Sequence, residues 1–182
     1  GRETIIPLNY AGPHGMLAGG SMDLRFFHNL GATVLSRRPL CGGIKSEAWA
    51  GTFGAIAGVQ MTDLESSDLI VVWGNNVTYS NLHLAPVLQR LRDRGGKVVV
   101  VDPKRIKVAE QADLHLGLRP GTDVVLAFAL AAELERRGAF DQGFIHRMVE
   151  GAEAFMAQAR QFSIERAAEI TGLAANEIKQ LA

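Results

Sequence analysis

The chain has 182 residues, of which 47% are hydrophobic and 21% charged, the proportions of a globular protein that can bury a substantial core. Its 19 lysine and arginine residues balance its 19 aspartate and glutamate residues, so the charge gives no reason to expect a nucleic acid or an anionic membrane as partner. The single cysteine excludes an internal disulfide and an iron–sulfur cluster held by this chain alone, and no apolar run reaches the roughly 20 residues of a membrane span.

The amino-terminal part of the chain is predicted to contain two strands and one helix. Residues 4–10 carry a short apolar core before a glycine-rich turn, which predicts a strand. Ser21 is a good N-cap for the helix that follows, and Phe26 and Phe27 are predicted to be core side chains of that helix. A second short strand is predicted over 32–35.

A Leu-Cys-Gly-Gly motif at 40–43 places the only thiol before two glycines, where the backbone can fold tightly around a large ligand. Arg37 and Arg38 lie just upstream and favour the thiolate form of Cys41. The alternative is that Cys41 is a small buried cysteine with a packing role.

Two helical segments precede the central strands. The first is predicted from Ser46 to Gly58, with Ser46 as its cap and with Trp49 and Phe53 four residues apart on one face. Its many alanine and glycine residues suit close packing against a sheet or a ligand. The sequence Thr-Asp-Leu-Glu at 62–65 fits a capping box and predicts a short helical turn before the next strand.

Two continuous apolar runs rich in β-branched residues follow, from Leu69 to Trp73 and from Val98 to Val101. Such runs are typical of strands that are buried on both faces of a parallel sheet. Between them, residues 84–94 have apolar side chains at helical spacing. The predicted fold class is therefore α/β, a parallel Rossmann-like sheet with helices on both faces in three layers.

The alternation continues with a short helix over 107–112, a third strand over 113–118 and a long helix over 123–137. His115, on the third strand, is predicted to have a structural role. The side chains of the long helix expected to face inward are Val124, Phe128, Ala131 and Leu134. Three further helices are predicted: one after Asp141 as cap, one after Ser163 as cap, and one over 174–182. We assign these late helices to packing, because they carry no paired carboxylates and no histidines at metal-binding spacing.

The polar residues that end the strands should meet at the carboxyl edge of the sheet, where ligands of open α/β sheets bind. In the first tip, Gly74 lets a ligand approach the backbone, and Asn75 and Asn76 offer amide donors and acceptors. In the second tip, Asp102 can accept hydrogen bonds from ribose hydroxyls. Lys104 and Arg105 follow it and can face phosphate.

The third tip runs from Arg119 through Gly121 to Asp123, and Thr122 or Asp123 can cap the next helix. Its backbone N–H groups then lie at a helix start, where an anion is favoured. Any one tip alone could be an ordinary strand-to-helix turn, but three in succession favour a nucleotide site. The Gly-x-Gly-x-x-Gly fingerprint is absent after Gly74, which disfavours a plain nicotinamide or flavin site.

The motifs VVWGNN, NLHL, KVVVVDPKR and AEQADLHLGLRPGTD, in this order, resemble the core of the molybdopterin oxidoreductases. That superfamily contains formate dehydrogenases, dimethyl sulfoxide reductases and nitrate reductases. Its motifs are a strand ending in Trp-Gly-x-Asn, a strand ending in Asp-Pro-(Arg/Lys)-Arg and an (Arg/Lys)-Pro-Gly-Thr-Asp turn. The resemblance covers essentially the whole chain. It implies a single cofactor-binding domain over 1–182, a fragment of a larger enzyme, in which 1–40 lie at a boundary with a neighbouring domain.

By this resemblance the three tips hold one molybdopterin guanine dinucleotide of a bis form. The implied cofactor-binding residues are Gly74, Asn75, Asn76, Asp102, Lys104, Arg105, Arg119, Gly121, Thr122 and Asp123. Of these, Asp123 is placed to accept hydrogen bonds from a guanine edge. Cys41 matches the family position that ligates molybdenum. The common family pair Cys-His is Cys-Gly here, and the missing histidine speaks against formate-type chemistry.

The implied function is that of a molybdopterin oxidoreductase, whose parent enzyme moves two electrons between a small substrate and molybdenum or tungsten. The fragment alone is expected to be inactive, and an iron–sulfur cluster is expected only in the rest of the parent. The expected partners are the remaining domains of the parent and a small-molecule substrate. Location in the cytoplasm is favoured over export.

Two alternatives stay open. One is a non-catalytic structural relic of the same fold, as in a subunit of respiratory complex I; Cys41 and the polar tips argue against it. The other is a generic mononucleotide-binding domain, against which the absent fingerprint and the order of the motifs argue.

Overall fold

The computed structural model describes residues 1–8, 22–34, 42–55 and 58–182. The chain divides into two compact units, residues 1–58 and residues 59–182. The prediction of one domain over 1–182 stays a prediction. Ser21 and Cys41 lie outside the described residues.

The first unit contains a 3-10 turn at Arg2–Thr4 and two helices, α1 (Met22–Leu30) and α2 (Gly42–Phe53). The strands predicted over 4–10 and 32–35 are wrong for the described residues, which contain no strand before residue 69. The two segments touch at one point and do not form a ladder. Thr33 donates its backbone N–H to the carbonyl of Ile5 (3.0 Å) and its hydroxyl to the carbonyl of Glu3 (2.7 Å).

Two further predictions for this unit are wrong. Helix α2 begins at Gly42, about one turn earlier than expected, so Ser46 lies inside the helix and does not cap it. Phe26 is 60% exposed, and its ring packs edge-on against Phe27 at 5.2 Å instead of entering a core. The pairing of Trp49 with Phe53 is confirmed, with ring centroids 5.1 Å apart.

The second unit is built on three parallel strands in the order β1 (Leu69–Trp73), β2 (Lys97–Val101) and β3 (Leu114–Leu116). Leu69 pairs with Lys97 at one end of β1 and Trp73 with Val101 at the other. In the second pair, Val99 lies opposite Leu114. The predicted α/β class with a parallel sheet is confirmed.

Helices and 3-10 turns connect and cover these strands. The turns are Asp63–Ser66 and Lys107–Gln111, and the helices are α3 (Val77–Ser80), α4 (Leu84–Asp93), α5 (Asp123–Arg136), α6 (Gln142–Met148), α7 (Ala152–Ala159), α8 (Ile164–Thr171) and α9 (Ala175–Leu181). Two predicted caps are confirmed: Asp141 Oδ1 accepts from the N–H of Phe144 (2.8 Å), and Ser163 Oγ from that of Arg166 (3.2 Å). The capping box at 62–65 is wrong, because Thr62 already has helical dihedrals and its side chain makes no capping bond.

The sheet has helical layers on both faces, as predicted. Even-numbered side chains of β1 and β2 pack against α4 in a core that contains Ile70, Val72, Val98, Val100, Val87, Leu88 and Leu91. The odd-numbered side chains of β2 pack on the opposite face against α5, α8 and α9, in a core that contains Val99, Val101, Leu116, Leu126, Ile164 and Ile178. Strand β1 is covered less completely, because Leu69 is 48% and Val71 37% exposed.

Helix α5 presents a different face to the core from the one predicted. Its buried side chains are Leu126, Ala129 and Glu133, whereas Val124 is 57% exposed. The ring of Phe128 packs between Phe155 and Phe162, at 5.5 Å from each. The sequence of α5 is apolar on nearly every side, so its spacing could not select the buried stripe. Among the described residues, no helix is long and apolar enough to cross a membrane.

Candidate functional site

The three predicted tips meet at the carboxyl edge of the sheet. The N–H of Gly74 donates to the carbonyl of Val101 (2.9 Å), and the N–H of Asp102 donates to the carbonyl of Leu116 (3.1 Å). These bonds extend the parallel ladder one residue past the strands. The first and second tips are therefore each tied by a backbone hydrogen bond to the end of the neighbouring strand.

The first tip combines an open backbone with an unpaired amide oxygen. Gly74 has φ +58°, and nothing lies within 4 Å of the position that a Cβ would occupy. The backbone carbonyl of Asn76 accepts hydrogen bonds from Tyr79 and Ser80 at the start of α3. Its side-chain Oδ1 is buried and has no hydrogen-bond partner in the described chain. Asn75 is half-buried beside it.

In the second tip, Asp102 shapes the turn. Its Oδ1 accepts from the backbone N–H of Lys104 (2.8 Å), and its backbone carbonyl accepts from Nε2 of His115 (2.9 Å). His115 thus lies against the neighbouring tip, which agrees with the structural role predicted for it. The side chains of Lys104 and Arg105 are exposed and have no polar partner among the residues that the structure describes.

In the third tip, the guanidinium of Arg119 lies at the carboxyl end of α8. Its Nη1 donates to the carbonyls of Glu169 (2.8 Å) and Ile170 (3.1 Å). Helix ends leave such carbonyls without intrahelical partners, so the guanidinium acts as a cap for α8. These partners are 50 and 51 residues further along the chain, where local sequence patterns do not reach.

The remaining residues of this tip form the turn into α5. Gly121 has φ +83°, and the hydroxyl of Thr122 donates to the carbonyl of Arg119 (2.7 Å). Thr122 is the N-cap residue of α5, one of the two residues predicted, but its side chain makes no capping hydrogen bond. Asp123 is the first residue of α5, and its Oδ1 accepts from the indole Nε1 of Trp73 (2.7 Å). This bond, which sequence reasoning missed, ties the first tip to the third.

At the opposite, amino edge of the sheet, the carboxylate of Asp113 is fully paired within the protein. Lys97 Nζ donates to Asp113 Oδ1 (2.9 Å), and the N–H of Val98 donates to Asp113 Oδ2 (2.9 Å). The hydrogen bond from Lys97, followed by that from Val98, holds the pKa of Asp113 below its ordinary value. Both carboxylate oxygens of Asp113 thus have protein partners, whereas the tips keep polar atoms without them.

The residues present at the carboxyl edge fit an extended nucleotide-type ligand. Gly74 and Gly121 leave open space beside the backbone, where no atom lies within 4 Å of a would-be Cβ. Lys104 and Arg105 supply two exposed cations, and Asn76 supplies a buried acceptor. The predicted metal ligand, Cys41, lies outside the described residues; within them, no group of three or more His, Cys, Asp or Glu side chains could hold a metal.

Comparison with known proteins shows the family of this chain. Residues 15–176 match the family model described as molybdopterin oxidoreductase. The chain belongs to the molybdopterin oxidoreductase family. The resemblance noted in the sequence is thereby confirmed.

Three similar proteins place the chain within much longer relatives. It is 31% identical to "Probable oxidoreductase YoaE" of Bacillus subtilis, in a match that covers all of this chain and 27% of that protein. It is 29% identical to "Formate dehydrogenase H" of Escherichia coli over 67% of this chain and 17% of that protein. The solved structure of "Acetylene Hydratase from Pelobacter acetylenicus" matches with a TM-score of 0.72 and 28% identity, covering 88% of this chain and 22% of that one.

Proposed function

We propose that the carboxyl edge of the sheet binds a molybdopterin guanine dinucleotide, and that the whole protein carries out two-electron redox chemistry at molybdenum or tungsten on a small substrate. One observation carries the proposal. Oδ1 of Asn76 is a buried acceptor without a donor in the described chain, and it lies at the edge where three polar tips converge. Leaving such an atom unpaired costs about 1–3 kcal/mol. The guanine and pterin rings both carry N–H donors that can pair with it.

The other tip residues have complementary roles toward the same ligand. Lys104 and Arg105 neutralise the diphosphate, and Arg105 can bind it with two parallel N–H groups. Asp102, whose Oδ1 already holds the turn, keeps Oδ2 for ribose hydroxyls. Asp123 likewise uses Oδ1 for Trp73 and keeps Oδ2 for a guanine N–H.

When bound, the cofactor supplies the redox chemistry through its metal, while these side chains bind and orient it. Cys41 is proposed as the metal ligand on the sequence alone. The chain spans 27% of the length of the relative that it matches over its whole length. We therefore assign the second dinucleotide, any iron–sulfur cluster and most substrate contacts to the remaining domains of the parent. As a separate proposal, we favour a location in the cytoplasm.

The test is metal and nucleotide analysis of the whole protein purified from its own host. We expect molybdenum or tungsten, and guanosine monophosphate released by acid hydrolysis at about two per metal for a bis form. The variant Asn76→Leu, which removes the unpaired acceptor, should lower both contents by more than half. Asn176→Leu on α9 is the matched control, because Asn176 is exposed and belongs to none of the tips.

The possible outcomes separate the alternatives. Metal and pterin without guanosine monophosphate would overturn the dinucleotide. Neither metal nor pterin in the purified protein would favour the structural relic. The variant Cys41→Ser should change the spectroscopic signature of the bound metal, and an unchanged signature would remove Cys41 from the site. Both redox turnover and hydration should be assayed, because one similar protein is named a hydratase.

A further inference from the structure

A pocket of about 260 Å³, lined by apolar and polar side chains, lies between α3, α4 and the 3-10 turn at Lys107–Gln111. Part of its wall is apolar and includes Leu82 and Val108, and the rest is polar and includes Arg92, Lys107 and Gln111. None of the tip residues lines it. The proposed cofactor site therefore does not account for its polar groups.

Arg92 is the unusual residue of this pocket. Its Nε and Nη2 are both buried, and neither has an acceptor in the described chain. Burying hydrogen-bond donors without partners is costly, and a charged group makes the cost larger. Nε and Nη2 lie on the same edge of the guanidinium, where their parallel N–H groups match the two oxygens of a carboxylate.

The same chain contains two occupied examples of this arrangement. Nε and Nη2 of Arg136 donate to Oε2 and Oε1 of Glu133, at 2.7 and 2.6 Å. Nε and Nη2 of Arg160 donate to Oε2 and Oε1 of Glu135, at 2.8 and 2.6 Å. Arg92 offers the same pair of donors with no carboxylate in front of them.

The charge of the pocket favours an anion. Lys107 lines it together with Arg92, and no aspartate or glutamate is among its lining residues. The side chain of Lys107 is exposed and has no ion-pair partner in the part of the chain that the structure describes. Two cations beside an apolar wall suit a ligand with one anionic end and a short hydrocarbon part.

We propose that this pocket binds a carboxylate carried on a short aliphatic group, held by the Nε and Nη2 edge of Arg92 with Lys107 nearby. The carboxylate can come from a free small acid or from an acidic side chain elsewhere in the whole protein. Both sources share the same recognition chemistry, and they differ in how the protein responds to added butyrate and to Arg92→Met.

The test follows the thermal unfolding midpoint of the whole protein with n-butyrate, or with n-butyramide plus sodium chloride at equal ionic strength. A free-acid site predicts a midpoint at least 2 °C higher in butyrate than in the amide control. Arg92→Met should abolish the difference, and Arg92→Lys should retain part of it, because an ammonium keeps the charge but loses the paired donors. Arg94→Met is the matched control, since Arg94 donates to the carbonyl of Ser67 (3.0 Å) and does not line the pocket.

The behaviour of Arg92→Met without ligand identifies the source. If the donors are unpaired in the whole protein, removing them leaves the midpoint unchanged or raises it. If an acidic side chain of the protein already fills the pocket, the midpoint falls in Arg92→Met, butyrate has no effect on the wild type, and the fall disappears once acid protonates the carboxylate. The proposal is overturned by any of three results: butyrate has no effect on the wild type and Arg92→Met does not lower the midpoint, the fall in Arg92→Met persists in acid, or the butyrate effect survives in Arg92→Met. Because no readout involves the cofactor, this result is independent of the proposed function.

Discussion

The indole Nε1 of Trp73 donates a 2.7 Å hydrogen bond to Oδ1 of Asp123, a residue 50 positions further along the chain. The bond joins the last residue of β1 to the first residue of α5. Asp123 lies in the first turn of its helix, where a negative charge is favourable. The geometry of two tips therefore depends on a side-chain contact as well as on the sheet.

Replacing Trp73 by Phe should lower the free energy of unfolding by about 1 kcal/mol, because an aromatic ring remains while the hydrogen bond is lost. The measurement is urea unfolding of Trp73→Phe, Asp123→Ala and the double variant. A coupling energy of about 1 kcal/mol in this cycle is expected for the direct bond. Additive effects of the two substitutions would contradict it.

Arg119 should matter for stability more than Arg105, although both were predicted to contact the cofactor. Arg119→Lys should lower the free energy of unfolding by about 1 kcal/mol, because a lysine cannot span the two carbonyls that the guanidinium now reaches. In the cofactor-free protein, Arg105→Lys should leave stability unchanged, since the side chain of Arg105 is exposed and has no partner in the described structure. The measurement is denaturant titration of both variants. Equal losses of unfolding free energy would refute the claim that Arg119 matters more for stability than Arg105.

Glu133 should make stability depend on pH in the acid range. Its side chain is 5% exposed, and hydrogen bonds from Arg136 and then Arg137 hold its pKa at about 2, against an ordinary 4.5. Because the pKa is lower in the folded state, the ionised carboxylate stabilises the fold fully above pH 4.5. That contribution is lost as the pH falls from 4.5 toward 2.

The measurement is the unfolding midpoint of the wild type and of Glu133→Gln between pH 7 and pH 2. The wild type should be the more stable protein at neutral pH, and the gap should shrink through the acid range. Glu169→Gln is the control, because Glu169 is exposed and makes no ion pair in the described chain. A gap that stays constant down to pH 2 would show that Glu133 keeps an ordinary pKa.

The buried face of α5 can be tested with two alanine substitutions two residues apart, on opposite sides of the helix. Leu126→Ala should lower the free energy of unfolding by about 2–5 kcal/mol, because Leu126 is fully buried between the sheet and α8. Val124→Ala should change it by less than about 0.5 kcal/mol, because Val124 is 57% exposed. Chemical unfolding of both variants decides between this face and the one expected from the sequence.

The parts of the second unit that the sequence predicted correctly are those with local signals. The two β-branched runs predicted β1 and β2, and the convergence of the tips followed from the geometry of parallel strands. The caps at Asp141 and Ser163 were recognised because each acts on a backbone group three residues away.

What the sequence could not predict depends on distant partners. The bond from Trp73 to Asp123 spans 50 residues, and so does the contact of Arg119 with Glu169. Helix α5 is apolar on most sides, so only its neighbours decide which side is buried. The capping box at 62–65 failed for a different reason: a helical backbone at Thr62 removed the extended geometry that an N-cap needs.

Strand β1 is one of the two edge strands of the described sheet, and Leu69 and Val71 leave its second face partly exposed. An edge of this kind has unpaired backbone groups next to β-branched side chains, which is the surface on which polypeptide chains add to one another. Handled alone at high concentration, the second unit will tend to aggregate through β1. Charged residues at positions 69 and 71 are the changes that would keep it in solution.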